Sequence, residues 1–192
     1  NLKIAEVSGM IQPKSKKTEV KVRPSINHVI CIDISGSMYD VLPKIRTQLK
    51  SRMVDIVSDN DTVSLIWFDD KCGFVSEMVH ISKANDVREM NKKIDEMLKP
   101  GGCTNFLDPI KLTNKLIERM NSSKGLWNFF FMSDGGHNTG GTWDKVISEL
   151  SNLQSKISNA TICEYGYWAD SNKLTEMAET LGGQKIFDED FD

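Results

Sequence analysis

No apolar stretch in this chain approaches the ~18 residues that a membrane-crossing helix needs. The densest, Leu126 to Met132, is interrupted by Asn128, so membrane insertion is not expected. There is no excess of one charge either. The 24 Lys and Arg nearly balance 27 Asp and Glu, for a net charge of −3; this excludes a broad basic surface for nucleic acid or a polybasic face for anionic lipid. No C-x-x-C pair occurs among Cys31, Cys72, Cys103 and Cys163, which argues against a paired-cysteine zinc or redox site. Internal repeats and low-complexity segments are also missing. What is present, 39% hydrophobic residues in 192, is the composition of one globular domain with room for a small extension.

Compartment is weakly marked. Cys31 and Cys163 lie in apolar runs, where a free cysteine acts as a small hydrophobe. A core of this size does not depend on disulfides, so a cytoplasmic setting is expected, with secretion the alternative. The sequons at Asn60, Asn121 and Asn159 are about as many as chance supplies. The chain begins at Asn1 rather than Met, so a leader or upstream domains can precede it.

The strongest pattern is short apolar runs alternating with helical stripes. His28 to Ile32 is nearly unbroken, as a strand covered on both faces should be. Apolar residues then recur at 41, 42, 45, 49, 53, 56 and 57, the spacing of one helix face. Val63–Phe68 and Phe74–Ile81 read as strands joined by a short turn, hence an antiparallel hairpin whose second strand sits at an edge. Helices follow around Val87–Met97 and Leu107–Met120, then the strand Leu126–Met132. A helix around Val146–Ile157, a strand Ala160–Trp168, a helix Leu174–Leu181 and a strand Gln184–Phe187 complete the pattern. This predicts an α/β, Rossmann-like, doubly wound and mostly parallel six-stranded sheet, with one antiparallel edge strand and helices on both faces. Residues 1–26 are expected to form an N-terminal β-hairpin or arm, and residues 27–192 the main domain.

In open parallel sheets, ligands bind beyond the carboxyl ends of the strands. Three polar segments are sent to that edge: Asp33-Ile34-Ser35-Gly36-Ser37 after the first strand, Gly101-Gly102-Cys103-Thr104-Asn105 before the third helix, and Ser133-Asp134-Gly135-Gly136 after the fourth strand. The alternate positions of Asp33, Ser35 and Ser37 let their side chains share one side of the loop. Hard oxygen donors without imidazole or thiolate suit Mg²⁺, with Mn²⁺ or Ca²⁺ as substitutes, rather than zinc. The competing reading is local: Ser35 or Ser37 capping a helix and Asp33 ending a strand.

The first of these strings, with Thr104 in its Gly-Gly-Cys-Thr-Asn context and Asp134 in Met-Ser-Asp-Gly, closely resembles the von Willebrand factor type A domain. In that family these positions form the metal-ion-dependent adhesion site. The resemblance implies Ser35, Ser37 and Thr104 as hydroxyl ligands, with Asp33 and Asp134 holding the ion directly or through water. It also implies a protein partner whose Asp or Glu completes the coordination. Met38, Tyr39, Cys103, His137 and Trp143 are candidates for the surrounding ligand surface. The expected function is a divalent-cation-dependent protein-binding module without catalysis; the alternative is a scaffold subunit of a larger complex, in which the metal only orders the loops.

Other chemistries fit less well. Gly135 to Gly140 has the glycine spacing of a phosphate loop, but Gly141-Thr142 stand where Lys and Ser or Thr are needed. An aspartate nucleophile at Asp33 would want a second carboxylate at position 35, which is Ser35. A metal-assisted hydrolase lacks a nominated general base.

Overall fold

The apolar run of the first strand places it at the centre of a sheet, and the chain builds outward from it on both sides. The computed structural model describes residues 23–82, 84–120, 125–166 and 169–191, without the side chains of 52–56 and 190–191. The strands are β1 Ile26–Asp33, β2 Thr62–Phe68, β3 Cys72–His80, β4 Leu126–Ser133, β5 Asn159–Glu164 and β6 Gln184–Phe187. The helices are α1 Leu42–Ile56, α2 Ala84–Met97, α3 Leu107–Arg119, α4 Trp143–Gln154 and α5 Ser171–Leu181. The sheet order is β3-β2-β1-β4-β5-β6. All neighbours are parallel except β3, which runs antiparallel to β2 at the edge. The doubly wound sheet expected from the alternation is therefore the one found; of the N-terminal arm, residues 1–22 lie outside the described residues.

The pleat of β1 divides the core. Val29 and Cys31 face one layer with residues of α3, α4 and α5. Ile30 and Ile32 face the other, with Leu42, Ile45 and Leu49 of α1 and Met90 and Ile94 of α2. Period 2 in the strand and period 3.6 in the helices meet in both layers. On the first face Phe68, Phe106 and Phe131 form a three-ring cluster with centroids 4.9 to 5.8 Å apart. Such pairs add about 0.5–1.5 kcal/mol each beyond their buried area.

Two boundaries and one strand pairing differ from the sequence pattern, each for a local reason. β5 stops at Glu164 instead of running to Trp168, because the chain leaves the sheet at Gly166 in a left-handed conformation (φ 86°). α4 begins at Trp143, ahead of its first core residue Val146, since extended Thr142 sets the helix start. β3 carries a bulge: its pairing with β2 shifts register around Leu65, and Met78 takes φ 50° with its N–H donated to Ser64 Oγ. A bulged edge resists pairing with other chains.

β1 and β4 are adjacent, but the chain leaves them in opposite directions, towards β2 and towards β5. Their carboxyl ends therefore open a crevice at the switch point of the topology. Asp33 and Ser133 are the last residues of these two strands.

Candidate metal centre

Asp33 leaves β1 fully buried. Its Oδ1 accepts the Ser35 N–H at 2.8 Å, and its Oδ2 accepts the Ser133 hydroxyl at 2.6 Å. Ser133 Oγ in turn accepts the Gly135 N–H at 3.0 Å. Desolvation pushes the Asp33 carboxyl up to about 6. The hydrogen bonds from Ser133 and Ser35 pull it down, and the charge on Asp134 pushes it up further.

The loop 33–37 turns so that the Ser35 and Ser37 hydroxyls lie 3.3 Å apart; Ser35 is buried and Ser37 exposed. Backbone bonds fasten this loop to the segment before α3: Gly36 N–H to Gly102 O at 3.3 Å and Gly101 N–H to Ile34 O at 2.8 Å. Thr104 is nearly fully buried. Asp134 Oδ1 accepts the Gly136 N–H at 3.1 Å. A Cβ placed on Gly136 would lie 3.2 Å from Asp134 Oδ1 and 3.9 Å from Thr104 Oγ1, so both groups flank that glycine. Gly135 is needed for a different reason: its φ is 82°, and a Cβ there would meet Asp170 O at 2.6 Å.

The five residues expected at the site thus converge at one edge of the sheet. Among the described residues, no three His, Cys, Asp or Glu side chains gather as a metal-holding group. A cation here would rely on hydroxyls, and the donor set fits one of the hard kind. Three hydroxyls and two carboxylates converge, and both oxygens of Asp33 already accept protein hydrogen bonds, which suits a carboxylate holding an ion through water. Asp69 and Asp70 add negative charge from the next loop; a Cβ on Gly102 would stand 2.4 Å from Asp70 Oδ1 and 3.0 Å from Asp69 Oδ2. A cavity of about 260 Å³ opens beside the site, lined by Ser37, Met38, Asp40, Val41, Asp134, Tyr165 and Gly166.

The surface candidates separate. Tyr39 is 68% exposed beside Ser37, and Cys103 is exposed next to Thr104. Met38 is not a surface residue: the short 3-10 turn Gly36–Met38 directs it into the core, where it is 0% exposed. Trp143 is half-buried, with its ring near Phe106 and its indole N–H given to Glu176 Oε2. His137 is half-buried and bonded on both ring nitrogens to neighbouring backbone. Neither Ser133 nor Asn138 was expected to position a residue of the site. Ser133 had a visible signal, a hydroxyl at the end of the strand beside β1, whereas Asn138 had none.

The sequence profile of the von Willebrand factor type A domain matches residues 28–137. No curated protein matches the chain in sequence. Among solved structures, a von Willebrand factor type A protein from Catenulispora acidiphila superposes with a TM-score of 0.74 at 15% identity, over 88% of this chain and 41% of that one. The PilB minor pilin from Streptococcus sanguinis gives 0.69 at 12% identity, over 88% and 58%. A manganese-loaded Plasmodium vivax TRAP protein gives 0.70 at 15%, over 87% and 70%. At these identities the likeness is one of fold, and the chain spans only two-fifths of the first structure and somewhat over half of the second.

Proposed function

The chain belongs to the von Willebrand factor type A domain family, and on that premise we propose that it is a divalent-cation-dependent protein-binding module. Ser35, Ser37 and Thr104 would hold the ion by their hydroxyls, with Asp33 and Asp134 holding it directly or through water, in a metal-ion-dependent adhesion site. When bound, Mg²⁺ or Mn²⁺ supplies an electrophilic centre that takes a carboxylate from a partner's Asp or Glu. The chain's own residues do the rest. Ser133 and the Ser35 N–H fix the Asp33 carboxylate. Neutral hydroxyls leave the cation's charge only partly offset, which favours an outside carboxylate. Tyr39 and Cys103 stand exposed where a partner would approach.

The observation that carries this reading is the convergence of Asp33, Ser35, Ser37, Thr104 and Asp134 from three separate loops. The manganese-loaded protein of the same fold supports it. The scaffold alternative draws less support, because protein hydrogen bonds between the loops already tie them together without an ion. A catalytic role is not proposed, since ligation and positioning account for all five residues. As to compartment, the cytoplasmic expectation gains nothing from these neighbours, and a minor pilin of the same fold favours a secreted or surface setting.

The test is calorimetric titration of Mg²⁺ and Mn²⁺ into chelator-stripped protein, with acetate present to supply a carboxylate. Saturable one-to-one binding that disappears in an Asp33→Ala, Asp134→Ala double variant is expected. Absence of binding in the unaltered protein would overturn the proposal.

A further inference from the structure

The glycine-rich segment 135–141 lacks the lysine of a phosphate loop, yet it is built to close tolerances. Its φ values are positive at Gly135, Gly140 and Gly141. A Cβ on Gly140 would stand 2.1 Å from the Asn105 carboxamide, so the loop lies directly on the segment that carries Thr104. Four hydrogen bonds cross between the two loops. Asn138 Oδ1 accepts the Thr104 N–H at 2.9 Å. Thr104 O accepts the N–H groups of Asn138 at 3.0 Å and Thr139 at 3.2 Å. His137 Nδ1 accepts the Phe106 N–H at 3.1 Å.

The other ring nitrogen fixes the histidine. His137 Nε2 lies 3.0 Å from Gly141 O, and a carbonyl only accepts, so Nε2 carries the proton and Nδ1 is left as the acceptor. The ring is wedged between Phe106 (centroids 5.4 Å apart) and Trp143 (5.9 Å). Phe106 is itself locked in the core by Phe68 and Phe131. Both backbone groups of Thr104 are thus held by 138–139, and the chain two residues further on is held by His137.

We infer that His137 and Asn138 are positioning residues that hold the Thr104 hydroxyl towards the cation, so that Thr104 and Asp134 reach the metal centre as one preassembled half. Neither touches the ion. This rests on the metal-binding reading above and goes beyond it by naming what fixes a ligand. Groups that orient metal ligands typically change metal affinity by about 10- to 100-fold when removed.

The experiment is Mn²⁺ titration, with acetate present, of the full chain and three variants. His137→Phe keeps an aromatic ring between Phe106 and Trp143 but removes both polar contacts. Asn138→Leu keeps the side chain's shape without its acceptor. His137→Asn restores an amide oxygen near the place of Nδ1. Affinity is expected to fall about 10- to 100-fold in His137→Phe and in Asn138→Leu, and to stay within about threefold of the unaltered protein in His137→Asn. A purely structural histidine would give no such rescue. Native affinity in His137→Phe and Asn138→Leu would overturn the inference while leaving the metal site standing. Failure of the unaltered protein to bind Mn²⁺ would overturn the metal reading itself and this inference with it.

Discussion

Two buried aspartates sit at opposite ends of the same sheet and are treated in opposite ways. Asp33, at the carboxyl end of β1, accepts two hydrogen bonds and has another carboxylate nearby; burial drives it up to about 6. Asp61, just before β2, is equally buried, yet its carboxyl is held below the usual range. Burial alone would raise it, but the N–H groups of Ile26 and Ser58, His28 and Arg23 together outweigh that cost. Three of these donors lie 2.7 to 3.1 Å from its oxygens. The amino end of the sheet has thus satisfied its carboxylate with protein groups. At the carboxyl end, burial and the neighbouring Asp134 outweigh the hydrogen bonds, a cost that the proposed cation would offset.

Breaking the satisfied end should have the largest effect. Asp61→Ala orphans the N–H groups of Ile26 and Ser58 and releases Arg23, at a cost on the order of 4 kcal/mol. Urea unfolding in chelator measures it; a loss below about 1 kcal/mol would show that Asp61 is not the satisfied group described.

Asp33→Asn should act in the other direction. An amide oxygen can keep the bond from the Ser35 N–H, and its NH2 can donate to Ser133 Oγ in a reversed bond, while the desolvated charge is removed. In chelator-treated protein, stability at pH 8 is expected to rise by up to about 3 kcal/mol, the worth of a shift of about two units. The sign follows from the raised value. Below the ordinary aspartate value of 3.8 both states are protonated, and stability is lost as pH rises through about 6 and the folded protein must ionise Asp33. The gain should therefore vanish below about pH 4. A gain that persists there would mean the substitution acts through packing.

Adding the cation should bring the two ends closer together. At one hundred times its dissociation constant, Mn²⁺ should stabilise the unaltered protein by about 2.7 kcal/mol, and the Asp33→Ala, Asp134→Ala double variant not at all. Equal shifts in melting temperature for both proteins would place the ion elsewhere.

The smallest expected effect sharpens the amino end. Burial lowers the pKa of His28 despite the pull of Asp61, and Nδ1 has no hydrogen-bond partner among the described residues. Its contribution to stability is full above the ordinary histidine value of 6.5 and is lost as pH falls, because the unfolded chain takes up a proton that the folded chain resists. Urea midpoints between pH 7 and 5, compared with a His28→Gln variant, should show a shallower acid loss in the variant.

Much of the carboxyl end was legible in the chain. Asp33, Ser35 and Ser37 are contiguous, and Thr104 and Asp134 each adjoin a well-patterned helix or strand, so each could be placed at an edge without a third dimension. The amino end was not. Asp61 is one acid in a polar turn, and nothing in its neighbours announces that Arg23, Ile26 and His28 will come to it. Met38 was misread for a related reason: its position after Ser37 suggested surface, whereas the 3-10 turn sends it inward. His137 was expected at the ligand surface, and its contact with the segment that carries Thr104, like that of Asn138, was not legible because the partners lie more than thirty residues earlier.

The sequence by itself determined the alternation of strands and helices, the edge position of β3 and the oxygen-donor character of the site, since all three follow from local periodicity and residue chemistry. Only the tertiary structure decided which buried carboxylate is held below the usual range and which is raised by burial, because that depends on donors brought from distant segments. The same is true of Thr104, whose position depends on how loop 135–141 packs against it: a contact between loops leaves no period in the chain.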